Sequence, residues 1–120
     1  MGQGGFEELQ AWQRSKDLAV GIYRFTEEGA ISKAFGLREQ LRRSAVSVPS
    51  NLAEGDDRGT DKEAVRFFYI AKGSLAELRT QLRIAFEVGY LRKEDFTAMD
   101  DECNRIGRMI GALIRARRMG

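Results

Sequence analysis

The stretch TDKEAVRFFYIAKGSLAELRTQLRIAFEVG, Thr60 to Gly89, decides the fold. It opens with Thr60-Asp61-Lys62-Glu63, a capping box in which the threonine hydroxyl and the glutamate carboxylate satisfy free amides of a first helical turn. Ala64, Phe68, Ala71, Leu75, Leu78, Leu82 and Ala85 follow, at steps that alternate four and three. Such a heptad seam predicts one long helix, about 61–89, buried along one side. Gly89 supplies the stop.

The segments on either side repeat the pattern. Over residues 7–28, Leu9, Trp12, Leu18, Ala19, Ile22 and Phe25 form a broad apolar face, with Glu7 and Glu8 at the dipole's positive end and Gly29 beyond. Over 33–57, Leu37, Leu41, Ala45, Val48 and Leu52 keep phase across Pro49, the chain's one proline. A proline removes a backbone donor and clashes with the carbonyl four residues back, so a kinked but continuous helix is expected. The run Gly55 to Gly59 breaks that pattern. Over 93–117, Phe96, Met99, Cys103, Ile106, Ile110 and Leu113 step in threes and fours. No strand signal is present. Long helices with short connections pack as antiparallel neighbours. The expected architecture is all-α: an up-down-up-down four-helix bundle over residues 6–118, preceded by a flexible tail at residues 1–5.

Composition narrows the chemistry. With 120 residues, 42% hydrophobic and 32% charged, the chain is one folded domain. No apolar run nears the ~18 residues of a membrane span, and no signal peptide is visible, so no membrane partner and a cytoplasmic address are expected. Histidine is absent, which removes the commonest general base and metal ligand. Cys103, the one cysteine, falls on an apolar face and reads as a small core residue. No catalytic residue, cofactor or metal is expected.

Two further stripes bear on function. On the third helix, Phe67, Ile70, Ser74, Glu77, Gln81, Ile84 and Val88 lie about a right angle from the seam. This stripe either meets another helix of the same bundle or joins subunits, with Phe67, Ile70, Ile84 and Val88 as the interface candidates. On the second helix, Gln40, Arg43, Ser47, Asn51 and Glu54 share one side, with Ser74, Glu77 and Gln81 as possible partners on the third. Arg43 with Glu77 is the natural bidentate pair, and Asn51 and the serines can serve carbonyls exposed by Pro49. A polar network that sets helix register is favoured over a ligand cleft, since no nucleophile–base pair can be assembled.

Net charge is only +2, yet the basic residues are arranged in rows. Arg105, Arg108 and Arg115 lie opposite the core stripe of the fourth helix, with Arg118 nearby. Lys62, Arg66, Lys72, Arg79 and Arg83 lie within one arc of the third. Arg66, Arg79, Arg83, Arg105, Arg108 and Arg115 are the candidate contacts to RNA or DNA phosphates. No base-reading motif accompanies them. Arg117 and Arg118 are expected in a frayed end.

The segments FGLREQLRRSAVSVPSNLAEG, RGTDKEAVRFFYIAKGSLAELRTQLRIAFEVGYL and FEELQAWQRSKDLAVGIYRFT together resemble the 23S rRNA-intervening-sequence, or S23, proteins over residues 6–115. Pro49-Ser50-Asn51 with Ala53-Glu54-Gly55, and Gly73-Ser74-Leu75 with Glu77 and Gln81, carry the likeness. The resemblance implies an antiparallel four-helix bundle, a homopentameric ring with a central channel, and no enzymatic activity. It also implies a relation to accessory proteins of diversity-generating retroelements, which bind a reverse transcriptase and nucleic acid. The chain departs from the pattern at Glu27–Ser32, where a proline is usual, and at Arg92, where a serine-type cap is common. The leading expectation is a non-catalytic oligomeric scaffold for RNA or DNA. A protein–protein adaptor comes second. An enzyme built on Arg43, Asn51, Glu54 and Glu77 comes last.

Overall fold

The computed structural model describes residues 5–119, so the expected tail lies outside the described residues except for Gly5. Four helices account for most of the chain: α1 (Gln10–Phe25), α2 (Phe35–Asp56), α3 (Asp61–Glu87) and α4 (Lys93–Met119). Two 3₁₀ turns, Gly5–Glu8 and Ala30–Lys33, precede α1 and α2. The described residues hold no strand.

α1 is shorter at both ends than its apolar pattern predicts. Glu7 and Glu8 fall in the 3₁₀ turn, because Leu9 adopts extended backbone and offers no side chain to cap a helix there. At the other end Thr26 turns inward. Its buried hydroxyl donates to the Ile22 carbonyl at 2.7 Å and accepts from Arg42 Nε of α2 at 2.8 Å. Gly29, at φ +74°, then takes a left-handed conformation suited to glycine. Ile31, fully buried, pins the connecting turn to the core.

Pro49 sits buried inside one unbroken helix. Asn51 Nδ2 does not serve the Ala45 carbonyl that the proline leaves without its usual partner. It donates instead to the Ser47 carbonyl at 2.9 Å and to Ser47 Oγ at 3.0 Å. Gly55 does not end the helix either. A Cβ built there would lie 2.8 Å from Phe68 Cε1 and 3.0 Å from the Ala64 carbonyl oxygen. Glycine is the only residue that lets the end of α2 approach α3 so closely.

α3 begins as its sequence predicts, with Thr60 Oγ1 accepting the Glu63 amide at 3.2 Å. The Glu63 carboxylate points toward Arg58, 3.9 Å away. The helix closes in a Schellman turn around Gly89 at φ +91°, with the Gly89 amide on the Phe86 carbonyl and the Tyr90 amide on that of Ala85. All seven seam residues, Ala64 through Ala85, are buried. They meet Leu41, Val48 and Leu52 of α2 and Ile106, Ile110 and Ile114 of α4 in one continuous core. On α4 it is Ile114, not the half-buried Leu113, that completes the stripe.

Helix directions can be read from cross-contacts. Ser44 meets Gln81 and Ser47 meets Ser74, so α3 runs back along α2. Arg79 meets Asp100 and Arg118 meets Tyr69, so α4 runs back along α3. α1 is joined to α4 by a bidentate pair, Arg14 with Glu102, at 2.9 and 3.0 Å.

Candidate nucleic-acid interface

The polar band between α2 and α3 is narrower than its sequence stripe. Ser47 Oγ and Ser74 Oγ share a 2.7 Å hydrogen bond, Asn51 braces Ser47, and Ser44 donates to Gln81 Oε1 at 2.7 Å. Ser44 was not among the expected members. It lies about 60° around the helix from the Gln40–Ser47 line, toward the core. Arg43 and Glu77 are exposed and form no ion pair, so the expected bidentate pair does not exist. Gln40 is exposed too, beside a shallow hollow of about 380 Å³ that it shares with Glu77, Gln81 and Ile84. Glu54 turns to Arg58, one helical turn on, at 2.6 Å. Among the described residues Arg43, Asn51, Glu54 and Glu77 share no hydrogen bond or ion pair with one another, and no three His, Cys, Asp or Glu groups converge on a metal position.

The second stripe of α3 divides: Ser74 and Gln81 meet α2 of the same bundle, whereas its apolar ends face outward. Ile70, Ile84 and Val88 are 42%, 46% and 57% exposed on the outer wall. Phe67 is half-buried, with the Arg58 guanidinium 4.6 Å from its ring centroid.

The basic residues divide into distinct places. Arg66 lies beside Phe67 and borders a separate depression with Thr60 and Lys62. Arg83 spreads over the Phe96 ring at 4.9 Å, which anchors its stem against the end of the bundle. Arg105 is exposed and is not part of the groove between α3 and α4. Arg79, Arg108 and Arg115 come together with Lys72 in a groove of about 470 Å³ between α3 and α4. Its floor is made by Leu75, Ala76, Cys103, Gly107 and Gly111, and no carboxylate lines it.

The groove follows from helical spacing. Lys72 and Arg79 are seven residues apart on α3, as are Arg108 and Arg115 on α4, so each pair forms one line along its helix. Gly107 and Gly111 lack side chains on the flank of α4 that faces α3, which keeps the trough open. Lys72 and the two glycines were not expected as contacts; the seven-residue spacing of like charges was the available signal. Asp100 binds Arg79 at 2.9 Å, and that hydrogen bond raises the arginine's pKa above its ordinary value. Among the described residues, Lys72, Arg108 and Arg115 form no ion pair.

Arg117 is not in a frayed end. It reaches Asp56 at 3.0 Å and Asp61 at 3.3 Å, and so ties the last turns of α4 to the junction of α2 and α3. Arg118 donates to the Tyr69 hydroxyl at 3.2 Å. The Cys103 thiol is fully buried at the groove's inner edge, and desolvation pushes its pKa up to about 12.

The family model for the 23S rRNA-intervening sequence protein matches residues 7–112. The chain belongs to that family. Membership covers all four helices, but the match ends before Arg115, so the outer end of the groove lies beyond it. Among solved structures, the chain is similar to a protein of unknown function from the S23 ribosomal protein family of Bacteroides thetaiotaomicron. The two share 20% identity at a TM-score of 0.79, over 87% of this chain and 97% of that one. At that identity the likeness establishes the shared fold alone. No curated protein matches the chain at a significant level. Among the described residues, no helix is long and apolar enough to cross a membrane.

Proposed function

We propose that this protein is a non-catalytic homo-oligomer that binds RNA or DNA without reading its sequence. In this reading it is a pentameric ring of up-down-up-down bundles, with α2 kinked at Pro49, working as a cytoplasmic scaffold. The observation that carries the binding role is the groove between α3 and α4, which gathers Lys72, Arg108 and Arg115 with Arg79, the last held by Asp100. Phosphate binding releases counterions from the nucleic acid, and so needs accessible cations not already neutralised in the protein. Lys72, Arg108 and Arg115 meet that requirement. The exposed Ile70, Ile84 and Val88 supply an apolar face that a second subunit would cover. A closed ring repeats one weak groove around its rim and gains avidity without new contacts.

Light scattering joined to a nucleic-acid titration tests both halves. A particle several times the 13.5 kDa protomer mass is expected, with RNA retention that falls steeply as salt rises. A lone protomer at micromolar concentration removes the ring. Failure to retain RNA or DNA at low salt removes the scaffold.

A second reading, an adaptor that docks a partner protein, is favoured by a different surface. Val20, Tyr23, Val46 and Pro49 form the apolar part of a hollow of about 480 Å³ between α1 and α2, which Lys16, Arg24 and Glu27 also line and which lies remote from the cations of the groove. Recovery of a protein at fixed stoichiometry after nuclease treatment, with no binding to purified RNA, would replace the first reading with this one.

A further inference from the structure

We propose that the α3–α4 groove seats the sugar-phosphate backbone of a single strand, phosphates inward and bases outward, with Gly107 and Gly111 as the floor that lets the strand down between the helices. This inference rests on the nucleic-acid reading above and assigns it a place and a strand type.

The geometry of the walls is the first argument. Leu75 of α3 faces Gly107 of α4, and Tyr69 faces Arg118. In that register the cations alternate from wall to wall in the order Arg79, Arg108, Lys72, Arg115. The three without an ion pair, Arg108, Lys72 and Arg115, extend over about 10 Å of helix at 1.5 Å rise per residue. That length holds several consecutive phosphates of one strand, which advances ~3.4 Å or more per nucleotide. Cations on both sides of a trough can flank a single backbone. A duplex is too wide to enter and would meet only the rims.

The lining supplies the second argument. No aromatic side chain borders the groove, so nothing inside it offers a stacking platform. The floor is Leu75, Ala76, Cys103 and two glycines, with Asn104 as its polar member. Such a surface contacts a backbone and leaves bases unread.

The glycines supply the third. A glycine inside a helix is costly relative to alanine, and α4 carries two, one turn apart, at half-exposed positions. Bundle packing does not demand them. A Cβ at Gly107 would rest 3.5 Å from Leu75 Cδ2, and one at Gly111 3.5 Å from the Arg115 guanidinium, both ordinary contacts. Alanine would therefore fit the fold while raising the floor. Gly107 preserves space beside Leu75, and Gly111 leaves room in which the Arg115 guanidinium can move.

Fluorescence anisotropy with a labelled oligouridine of about eight nucleotides tests this on the intact protein. Asp100 already neutralises Arg79, so three cations face phosphate, and the single-strand salt law gives a slope near −2.1. Raising salt from about 50 to 200 mM should weaken binding about 20-fold. In Arg108→Gln/Arg115→Gln the same change should weaken it only about 3-fold. Gly107→Ala/Gly111→Ala should melt no lower than the parent yet bind on the order of tenfold more weakly, with its charge unchanged. Arg24→Gln/Lys33→Gln removes the same charge far from the groove and should bind as the parent does. Equal loss in that control, parental affinity in the glycine variant, or a duplex of equal length binding as tightly as the single strand would each overturn the groove while leaving nucleic-acid binding in place. Absence of parental binding at the lower salt would instead overturn the broader reading and this one together.

Discussion

Gly55 of α2 stands against Phe68 of α3 with room for a hydrogen and nothing larger. A Cβ on Gly55 would come within 2.8 Å of Phe68 Cε1, 3.0 Å of the Ala64 carbonyl oxygen and 3.0 Å of Phe67 Cβ. The ring is buried and two of the three obstacles are backbone or backbone-near, so none can move cheaply. Gly55→Ala should therefore destabilise the protein by about 1–3 kcal/mol through overpacking, despite alanine's better helix propensity. Urea unfolding reads the change. A variant as stable as the parent would show that the α2–α3 approach is looser than described.

Arg117 joins Asp56 and Asp61 at the α2–α3 junction, with its guanidinium 5.7 Å from the Phe68 ring centroid. The pairs are partly solvated, so the expected contribution is modest. Arg117→Gln should cost about 1 kcal/mol at low salt and less at high salt. A double-mutant cycle with Asp56→Asn isolates the pair. Zero coupling would return the end of α4 to the frayed state that its position suggested.

Ser47 and Ser74 share a hydrogen bond across the α2–α3 seam, with Asn51 donating to the same Ser47 oxygen. Removing the Ser74 hydroxyl leaves the half-buried Ser47 hydroxyl with its bond from Asn51 alone. Ser74→Ala should therefore cost about 0.5–1.5 kcal/mol, and Ser47→Ala/Ser74→Ala less than the sum of the two single changes. Strict additivity in thermal or denaturant unfolding would mean the two hydroxyls are not coupled.

Burial holds the Cys103 proton to about pH 12, whereas an unfolded thiol releases it near 9.0. Above 9.0 the unfolded chain binds fewer protons than the folded one. The stabilising effect is complete below 9.0 and is lost as pH rises toward 12, at up to ~1.4 kcal/mol per pH unit. Cys103→Ala should lack this part of the alkaline decline. A maleimide should label the native protein far more slowly than the urea-unfolded chain at pH ~8; equal rates would contradict the burial.

The long-period features of the bundle were legible in the chain. The seam from Ala64 to Ala85 specifies α3 residue by residue, because alternating steps of four and three admit only one buried face. What escaped was local or rotational. Leu9 carries no capping group, so α1 starts later than its apolar face. Gly55 reads as a helix breaker until Phe68 is seen beside it. Gln40, Arg43 and Ser47 share one line by spacing, but spacing along one helix does not say how far that helix rolls toward its neighbour. The actual roll brings Ser44 to Gln81 and leaves Arg43 and Glu77 in water. Likewise, the basic rows on α3 and α4 were visible separately. The groove needed the register between them, which no single row contains.

The tight Gly89 turn also governs the order in which the molecule assembles. It brings Arg79 to Asp100 across 21 positions of chain, whereas Arg14 must find Glu102 across 88. Loop-closure entropy favours the nearer encounter, so the α3–α4 hairpin should close before α1 meets α4, whereas α1 reaches α2 through Thr26 and Arg42 across only 16 positions. Both walls of the basic trough belong to the α3–α4 hairpin. Opening between α1 and α4 would thus leave the trough standing, and a folding intermediate with Arg14 paired to Glu102 while α3 and α4 are still apart would refute the sequence of events.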